Sequence, residues 1–182
     1  MLLKARTESD LLKILRILNT RMELTTEAQK YYLHLEKGFE GEVQFDLLTE
    51  KIQSDCLILN DLLLEVNNTK FQIDSLIIYQ ELIYNFEIKT NEGDYYYEAD
   101  KLFMISGKEI KNPLDQSKRS SSLLRQLLQN QGFNLTIESY VIFINPEFTL
   151  YQAPQNLPFV YPTQLNRFMK KLITKPSHLN SL

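Results

Sequence analysis

The hydrophobic period changes near the middle of the chain, and this change constrains the fold more than any other feature. Apolar side chains recur at helical spacing in the first quarter of the chain, whereas residues 57–89 contain three apolar runs of strand length separated by polar pairs. The runs are 57–66, 70–79 and 82–89. The pair Asn67-Asn68 favours a tight turn between the first two. We therefore expect a meander of antiparallel strands, extended by short strands at 95–97 and 102–105.

Helical patterns flank the meander on both sides. Gly38 and Gly41 interrupt the early pattern, so two helices are predicted there instead of one. Asn112 followed by Pro113 is typical of a helix start, and the apolar run 140–144 suits a strand buried on both faces. The predicted helices are 11–18, 25–37, about 40–51, roughly 113–130, and a last short one capped by Thr163. This order predicts an α/β or α+β fold with a mixed sheet between helices.

Composition limits the function classes. The chain has 182 residues and a net charge of −3, so a protein that coats nucleic acid through overall positive charge is excluded, and any such contact needs a local patch. Cys56 is the single cysteine, which excludes an internal disulfide or a cysteine zinc site. With no apolar stretch of membrane-spanning length, we expect a cytoplasmic protein that does not contact membranes.

One group of polar residues has the pattern of a metal site. In a strand, alternate side chains share a face, so Glu87 and Lys89 should point together to one side. Asp74 lies on the neighbouring strand among apolar residues, where a carboxylate is costly to bury unless it is paired or binds a metal. Two carboxylates on adjacent strands suit Mg²⁺ or Mn²⁺. Glu42 and Gln116 lie on the helices before and after the strands.

A simpler interpretation stays open for each of these residues. Asp74 can be a solvent-facing acid, and Glu87 with Lys89 an exposed charge pair. Glu42 suits the first turn of a helix, and Gln116 an exposed helix face. A basic cluster around the helix at 113–130 offers either a phosphate-binding patch or an ordinary solvated surface. Its members are Lys111, Lys118, Arg119 and Arg125. The only histidines, His34 and His178, are too far apart in sequence to predict a zinc site.

Four sequence blocks, in order, carry a family resemblance: GFEGE, FQIDSLII, FEIKTNEG and NPLDQ. They begin at Gly38, Phe71, Phe86 and Asn112. With them the chain resembles the nuclease-related domain (NERD) family, a branch of the PD-(D/E)xK phosphodiesterases. The resemblance implies an αβββαβ restriction-endonuclease-like core with extra N-terminal helices. The implied organisation is an N-terminal helical extension (1–36), the NERD core (37–152), and a proline-containing segment with a short helix packed on the core (153–182).

The resemblance also implies roles for individual residues. Asp74 and Glu87 would bind Mg²⁺ or Mn²⁺, Glu42 would add to the metal shell, Lys89 would support the attacking water, and Gln116 would orient the substrate or a ligand. Ser75 and Thr90 depart from the family pattern, in which histidine and asparagine are frequent at these positions. The expected activity is metal-dependent hydrolysis of nucleic acid, with DNA favoured. The alternatives are a non-catalytic module that binds nucleic acid or protein in DNA processing, and a plain structural domain. The oligomeric state stays open, a homodimer included.

Overall fold

The structure, a computed structural model, describes residues 1–173 as four helices and ten strands arranged in two sheets. The helices are α1 (Asp10–Arg21), α2 (Thr26–Thr49), α3 (Pro113–Asn130) and α4 (Pro162–Ile173). The strands are β1 (Leu2–Lys4), β2 (Leu57–Val66), β3 (Thr69–Ile78), β4 (Leu82–Lys89), β5 (Gly93–Glu98), β6 (Lys101–Met104), β7 (Glu109–Ile110), β8 (Thr136–Phe143), β9 (Phe148–Tyr151) and β10 (Phe159–Val160).

The central sheet has the strand order β1-β2-β3-β4-β8-β10. β2, β3 and β4 form the predicted antiparallel meander, and Asn67 and Asn68 both have positive φ in the two-residue turn that joins β2 to β3. β8 adds to β4 in parallel after the crossover through α3. The order α2-β2-β3-β4-α3-β8 is the αβββαβ order that the resemblance implied, and the predicted mixed α/β fold is confirmed.

Helices cover both faces of the central sheet. On one face Phe45 of α2 and Met169 of α4 pack in the same buried cluster as Phe86 of β4, which is wholly buried. On the other face Leu124 of α3 packs against the β2–β3 hairpin and Ile83 of β4. Alternation along β4 therefore directs the even-numbered side chains to α2 and the odd-numbered ones to α3, which places Glu87 and Lys89 on one face as predicted.

The prediction of two helices separated by glycines was wrong. α2 runs unbroken from Thr26 to Thr49 through both glycines, so the predicted domain boundary between residues 36 and 37 falls inside a helix. At Gly41 a Cβ atom would lie 2.1 Å from Cγ2 of Thr90, so this glycine allows α2 to approach the end of β4 closely. A glycine in this chain can thus mark a close contact instead of a helix end.

The chain after β4 also departs from the prediction. Residues 93–98 and 101–104 do not extend the meander but form a second sheet with β7 and β9, in the order β7-β6-β5-β9. The free edge of β4 is taken by β8, whose Val141, Ile142 and Phe143 are wholly buried as expected for a strand covered on both faces. β8 begins at Thr136, four residues before the prediction, and α4 begins at Pro162, so Thr163 lies in its first turn and is not its cap.

Candidate active site

A cleft of about 500 Å³ lies between α2, the middle of β3, the end of β4 and the start of α3. All five residues predicted to carry chemistry line this cleft. They are Glu42, Asp74, Glu87, Lys89 and Gln116. The fold therefore brings together side chains that are up to 74 positions apart in the sequence, as the order of the family blocks implied.

Asp74 is fixed at the base of the cleft. Its side chain is not the solvent-facing acid of the simpler interpretation, because the residue is only 7% exposed. The backbone N–H of Ile88 donates a hydrogen bond to Oδ2 of Asp74 at 2.8 Å, which joins β3 to β4 beside the site. Burial raises the pKa of Asp74, while this hydrogen bond and the charge of Lys89 act in the opposite direction. The carboxylate is therefore held in one orientation with its charge incompletely compensated.

Glu87 and Lys89 form an ion pair on the α3 side of β4, in which Glu87 is buried and Lys89 is partly exposed. Glu87 is 3% exposed, and Nζ of Lys89 donates to its Oε1 at 2.6 Å and to Oε1 of Gln116 at 3.3 Å. Burial, with the nearby Asp74 charge, raises the pKa of Glu87 to about 7 in spite of Lys89. The ammonium group is thus held by two acceptors from two different elements at the wall of the cleft.

Glu42 lies on the opposite wall, on α2. Its side chain is 24% exposed, and Nη1 of Arg6 donates to its Oε2 at 2.6 Å. Burial and the charge of Asp74 raise the pKa of Glu42 to about 7, against the effect of Arg6. Glu42 is therefore a third carboxylate of the cleft, already engaged by a cationic side chain.

Sequence reasoning missed Arg6. This residue lies between β1 and α1, its side chain is 3% exposed, and it contacts α2 and β3 at the back of the cleft. No spacing or motif distinguishes it from the other basic residues of the first 40 positions. Arg6 lies outside the apolar patterns of the sequence, and this signal is too weak to predict that its side chain is buried.

Several further residues line the cleft mouth without having been predicted. Lys37 of α2 forms an ion pair with Glu92 in the connection from β4 to β5, and this pair bridges the two walls. His34 and Tyr95 also line the cleft, although the sequence predicts no zinc site at His34. His178 lies outside the described residues.

The two departures from the family pattern have different surroundings. Ser75 is wholly buried, and its hydroxyl donates to Oδ1 of Asn60 at 2.8 Å, on the sheet face that Asp74 does not occupy. Thr90 lines the cleft and packs against Gly41. The first departure therefore lies outside the cleft, and the second is part of its wall.

The predicted basic patch lies beside the cleft and not within it. Lys111 precedes Asn112, the N-cap of α3, and its charge acts on Glu87 from outside the pair with Lys89. Lys118, Arg119 and Arg125 are exposed on α3, whose first turn brings Gln116 into the cleft. Gln116 is thus the residue of α3 that lines the cleft, on the helix that also carries these three exposed cations.

The donor set fits a divalent cation of the magnesium type. Within residues 1–173 no three acidic, histidine or cysteine side chains converge closely enough to bind a metal ion without other ligands. Mg²⁺ commonly takes only one or two carboxylates and completes its shell with water and substrate phosphate oxygens. Asp74 and Glu87 are such a pair: they are buried, they influence each other's charge, and they border an open cleft.

The fold and the cleft define a nuclease-like α/β domain. Residues 37–144, more than half of the chain, match the sequence model of the nuclease-related domain, and the chain belongs to this family. All five candidate site residues fall inside the matched region, whereas Arg6 and α4 fall outside it. Neither the curated proteins nor the solved structures contain a match. Within residues 1–173, no helix is long and apolar enough to cross a membrane.

Proposed function

We propose that this protein is a divalent-metal-dependent phosphodiesterase that hydrolyses nucleic acid, with DNA as the favoured substrate. The observation that carries the proposal is the burial of Asp74 and Glu87 next to Lys89 at the base of an open cleft. Burying two carboxylates is costly without a compensating cation, and Lys89 supplies only one positive charge. Membership of the nuclease-related domain family supports the same reaction class.

In this proposal Asp74 and Glu87 bind Mg²⁺ or Mn²⁺. When bound, the cation lowers the pKa of a coordinated water and neutralises charge on the scissile phosphate. The hydrogen bond from Ile88 fixes the orientation of Asp74. The Lys89 ammonium stabilises the negative charge that develops on the phosphorus centre, and Gln116 orients this ammonium toward the cleft. Preorganised charge of this kind costs no reorganisation during the reaction.

The basic patch on α3 and at the residues that precede this helix would bind the substrate backbone. Lys111, Lys118, Arg119 and Arg125 carry positive charge near a cleft whose own centre is acidic. Phosphate contacts of this type position a nucleic acid without reading its sequence. We therefore expect weak sequence preference and strong dependence of binding on salt.

A titration of Mn²⁺ into the protein, with cleavage of plasmid and single-stranded DNA measured in parallel, tests the proposal. Wild type should bind Mn²⁺ and cleave DNA, Asp74→Asn should lose both, and Lys89→Met should bind Mn²⁺ but lose cleavage. Glu65→Gln, the same kind of change at an exposed carboxylate of β2, is the matched control and should behave as wild type. Cleavage that persists in EDTA or in Asp74→Asn would refute the proposal.

A second function, a non-catalytic module that binds nucleic acid or protein, is favoured by two observations. No group of three metal-binding side chains forms within residues 1–173, and an ion pair between Lys37 and Glu92 spans the cleft mouth. This alternative predicts DNA binding that is equal in EDTA and in Mn²⁺, with no cleavage in either condition.

A further inference from the structure

Arg6 is the most completely engaged cation next to the cleft. Its Nε and Nη2 donate to Oδ2 and Oδ1 of Asp46 at 2.9 and 3.1 Å, and its Nη1 donates to Oε2 of Glu42 at 2.6 Å. Nη2 also donates to the backbone carbonyl of Asp74 at 2.7 Å. One guanidinium therefore joins two carboxylates of α2 to the strand that carries Asp74, with its side chain only 3% exposed.

Only an arginine can make this set of contacts. Glu42 and Asp46 are four residues apart on α2, so their carboxylates lie on the same helix face, and a planar fork of five N–H donors reaches both. A lysine has a single nitrogen and would satisfy a part of this set. The bidentate bond to Asp46 anchors the guanidinium, and the anchored group then holds Glu42.

The charges of the cluster indicate what this contact does. Glu42, Asp46, Asp74 and Glu87 carry four negative charges when ionised, and Arg6 and Lys89 carry two positive ones. A single divalent cation at Asp74 and Glu87 would balance the remainder. On the α2 side of the cleft, Arg6 thus supplies to Glu42 the positive charge that a metal ion would supply if Glu42 were one of its ligands.

We propose that Arg6 is a resident cation that withholds Glu42 from the metal, so that Asp74 and Glu87 alone bind one divalent ion. This inference rests on the proposed function, because it concerns the same metal site. It replaces the expectation that Glu42 adds to the metal shell with a different role: Glu42 belongs to an internal ion-pair cluster that positions α2 against β3. Arg6 is then a positioning residue, supplied by a part of the chain outside the family match.

A double-mutant cycle between Arg6 and Glu42, read by isothermal titration with Mn²⁺, tests the inference. In wild type we expect one Mn²⁺ per chain, and Glu42→Gln should change its Kd by less than about threefold, since the carboxylate is not a ligand. Arg6→Gln should release Glu42 and tighten Mn²⁺ binding about tenfold or more, because a third carboxylate becomes available. Glu42→Gln in the Arg6→Gln background should abolish that gain.

Matched variants separate this role from a general structural one. Arg16→Gln removes an arginine that pairs with Glu8 and Glu36 away from the cleft, and should leave Mn²⁺ binding unchanged. If Arg6→Gln does not fold, as far-ultraviolet circular dichroism would show, the Arg6→Gln/Asp46→Asn variant removes the guanidinium together with its anchor. The Glu42→Gln measurement in wild type needs no change at Arg6.

The outcomes distinguish the two proposals. A wild-type protein that binds no Mn²⁺ overturns the proposed function and this inference with it. Mn²⁺ binding that is lost in Asp74→Asn and equally in Glu42→Gln preserves the proposed function but overturns the inference, because Glu42 is then a direct ligand. Weaker or unchanged Mn²⁺ binding in a folded Arg6→Gln variant also overturns the inference alone.

Discussion

The two glycines of α2 give a sharp test of how the helix is positioned against the cleft. In a helix interior, alanine is more favourable than glycine by about 1 kcal/mol, mainly because glycine loses more backbone entropy. At Gly38 an added Cβ would meet no atom within 4 Å. Gly38→Ala is therefore expected to raise the free energy of unfolding by about 0.5–1 kcal/mol.

The same substitution at Gly41 should lower the free energy of unfolding instead of raising it. Its Cβ would lie 2.1 Å from Cγ2 of Thr90 and 3.2 Å from Cγ2 of Ile144. Thr90 is β-branched and follows Lys89 directly, so relief of this contact requires either a change of its restricted χ1 rotamer or a shift at the end of β4. Overpacking of this kind costs about 1–3 kcal/mol, and the gain in helix propensity of about 1 kcal/mol offsets a part of it, so we expect a net loss of up to about 2 kcal/mol.

Urea unfolding of the single and double variants measures these terms. Thr90→Ser removes the clashing Cγ2 methyl group, so Gly41→Ala in the Thr90→Ser background should lose much less stability than it does in wild type. The Gly38→Ala variant controls for helix propensity alone. If both alanine variants shift the urea midpoint in the same direction, or if Thr90→Ser gives no rescue, the close approach of α2 to β4 does not account for Gly41.

Three further predictions concern the core, pH and the basic patch. The Asn85 amide donates to two serine hydroxyls of α3 at 3.0 and 2.8 Å, so Asn85→Ala should lower the free energy of unfolding by about 1–3 kcal/mol in urea titrations; an unchanged midpoint would contradict this. Tyr79 is buried with its hydroxyl donating to the carbonyl of Leu172, and burial raises its pKa. Because unfolded tyrosine loses its proton first, near pH 10, wild type should lose stability relative to Tyr79→Phe as the pH rises above about 10, and parallel stability profiles would exclude this. Lys118→Ala/Arg119→Ala should weaken DNA binding in fluorescence anisotropy and make the negative slope of log K against log salt shallower by about 2, while Mn²⁺ binding is retained. If the double variant and wild type have equal slopes, these two residues do not contact DNA phosphates.

Local sequence signals predicted the elements that depend on local chemistry. The bounds of β2, β4 and α3 agree with the prediction to the residue, because apolar runs end there at turn residues or at the Asn112-Pro113 cap. Local chemistry also decides where α1 and α2 begin, since the hydroxyls of Ser9 and Thr25 accept hydrogen bonds from the backbone N–H groups of the third residue of each helix, Leu12 and Ala28. Each of these features is decided within a few residues.

The features that sequence reasoning missed depend on distant contacts. Gly41 is explained by Thr90, which lies on another element, and no local pattern distinguishes such a glycine from a helix terminator. β1, β7, β9 and β10 have two to four residues each, too few for a periodicity to show, and they form because a sheet edge is available. Arg6 belongs to the same class, because its role appears only when α2 and β3 meet around it.

The predicted site residues occupy one cleft because of the way that α3 packs on the sheet. Ser120 and Ser121 face β4 and accept hydrogen bonds from Asn85, and their small side chains let the helix lie close to the strand. One turn earlier on α3, Gln116 then reaches Lys89, which is two alternations further along β4 from Asn85 on the same face. The distance between Lys89 and Gln116 is therefore set by a buried polar contact outside the cleft. A change at Asn85 is expected to disturb the cleft as well as the core, because the same helix carries both contacts.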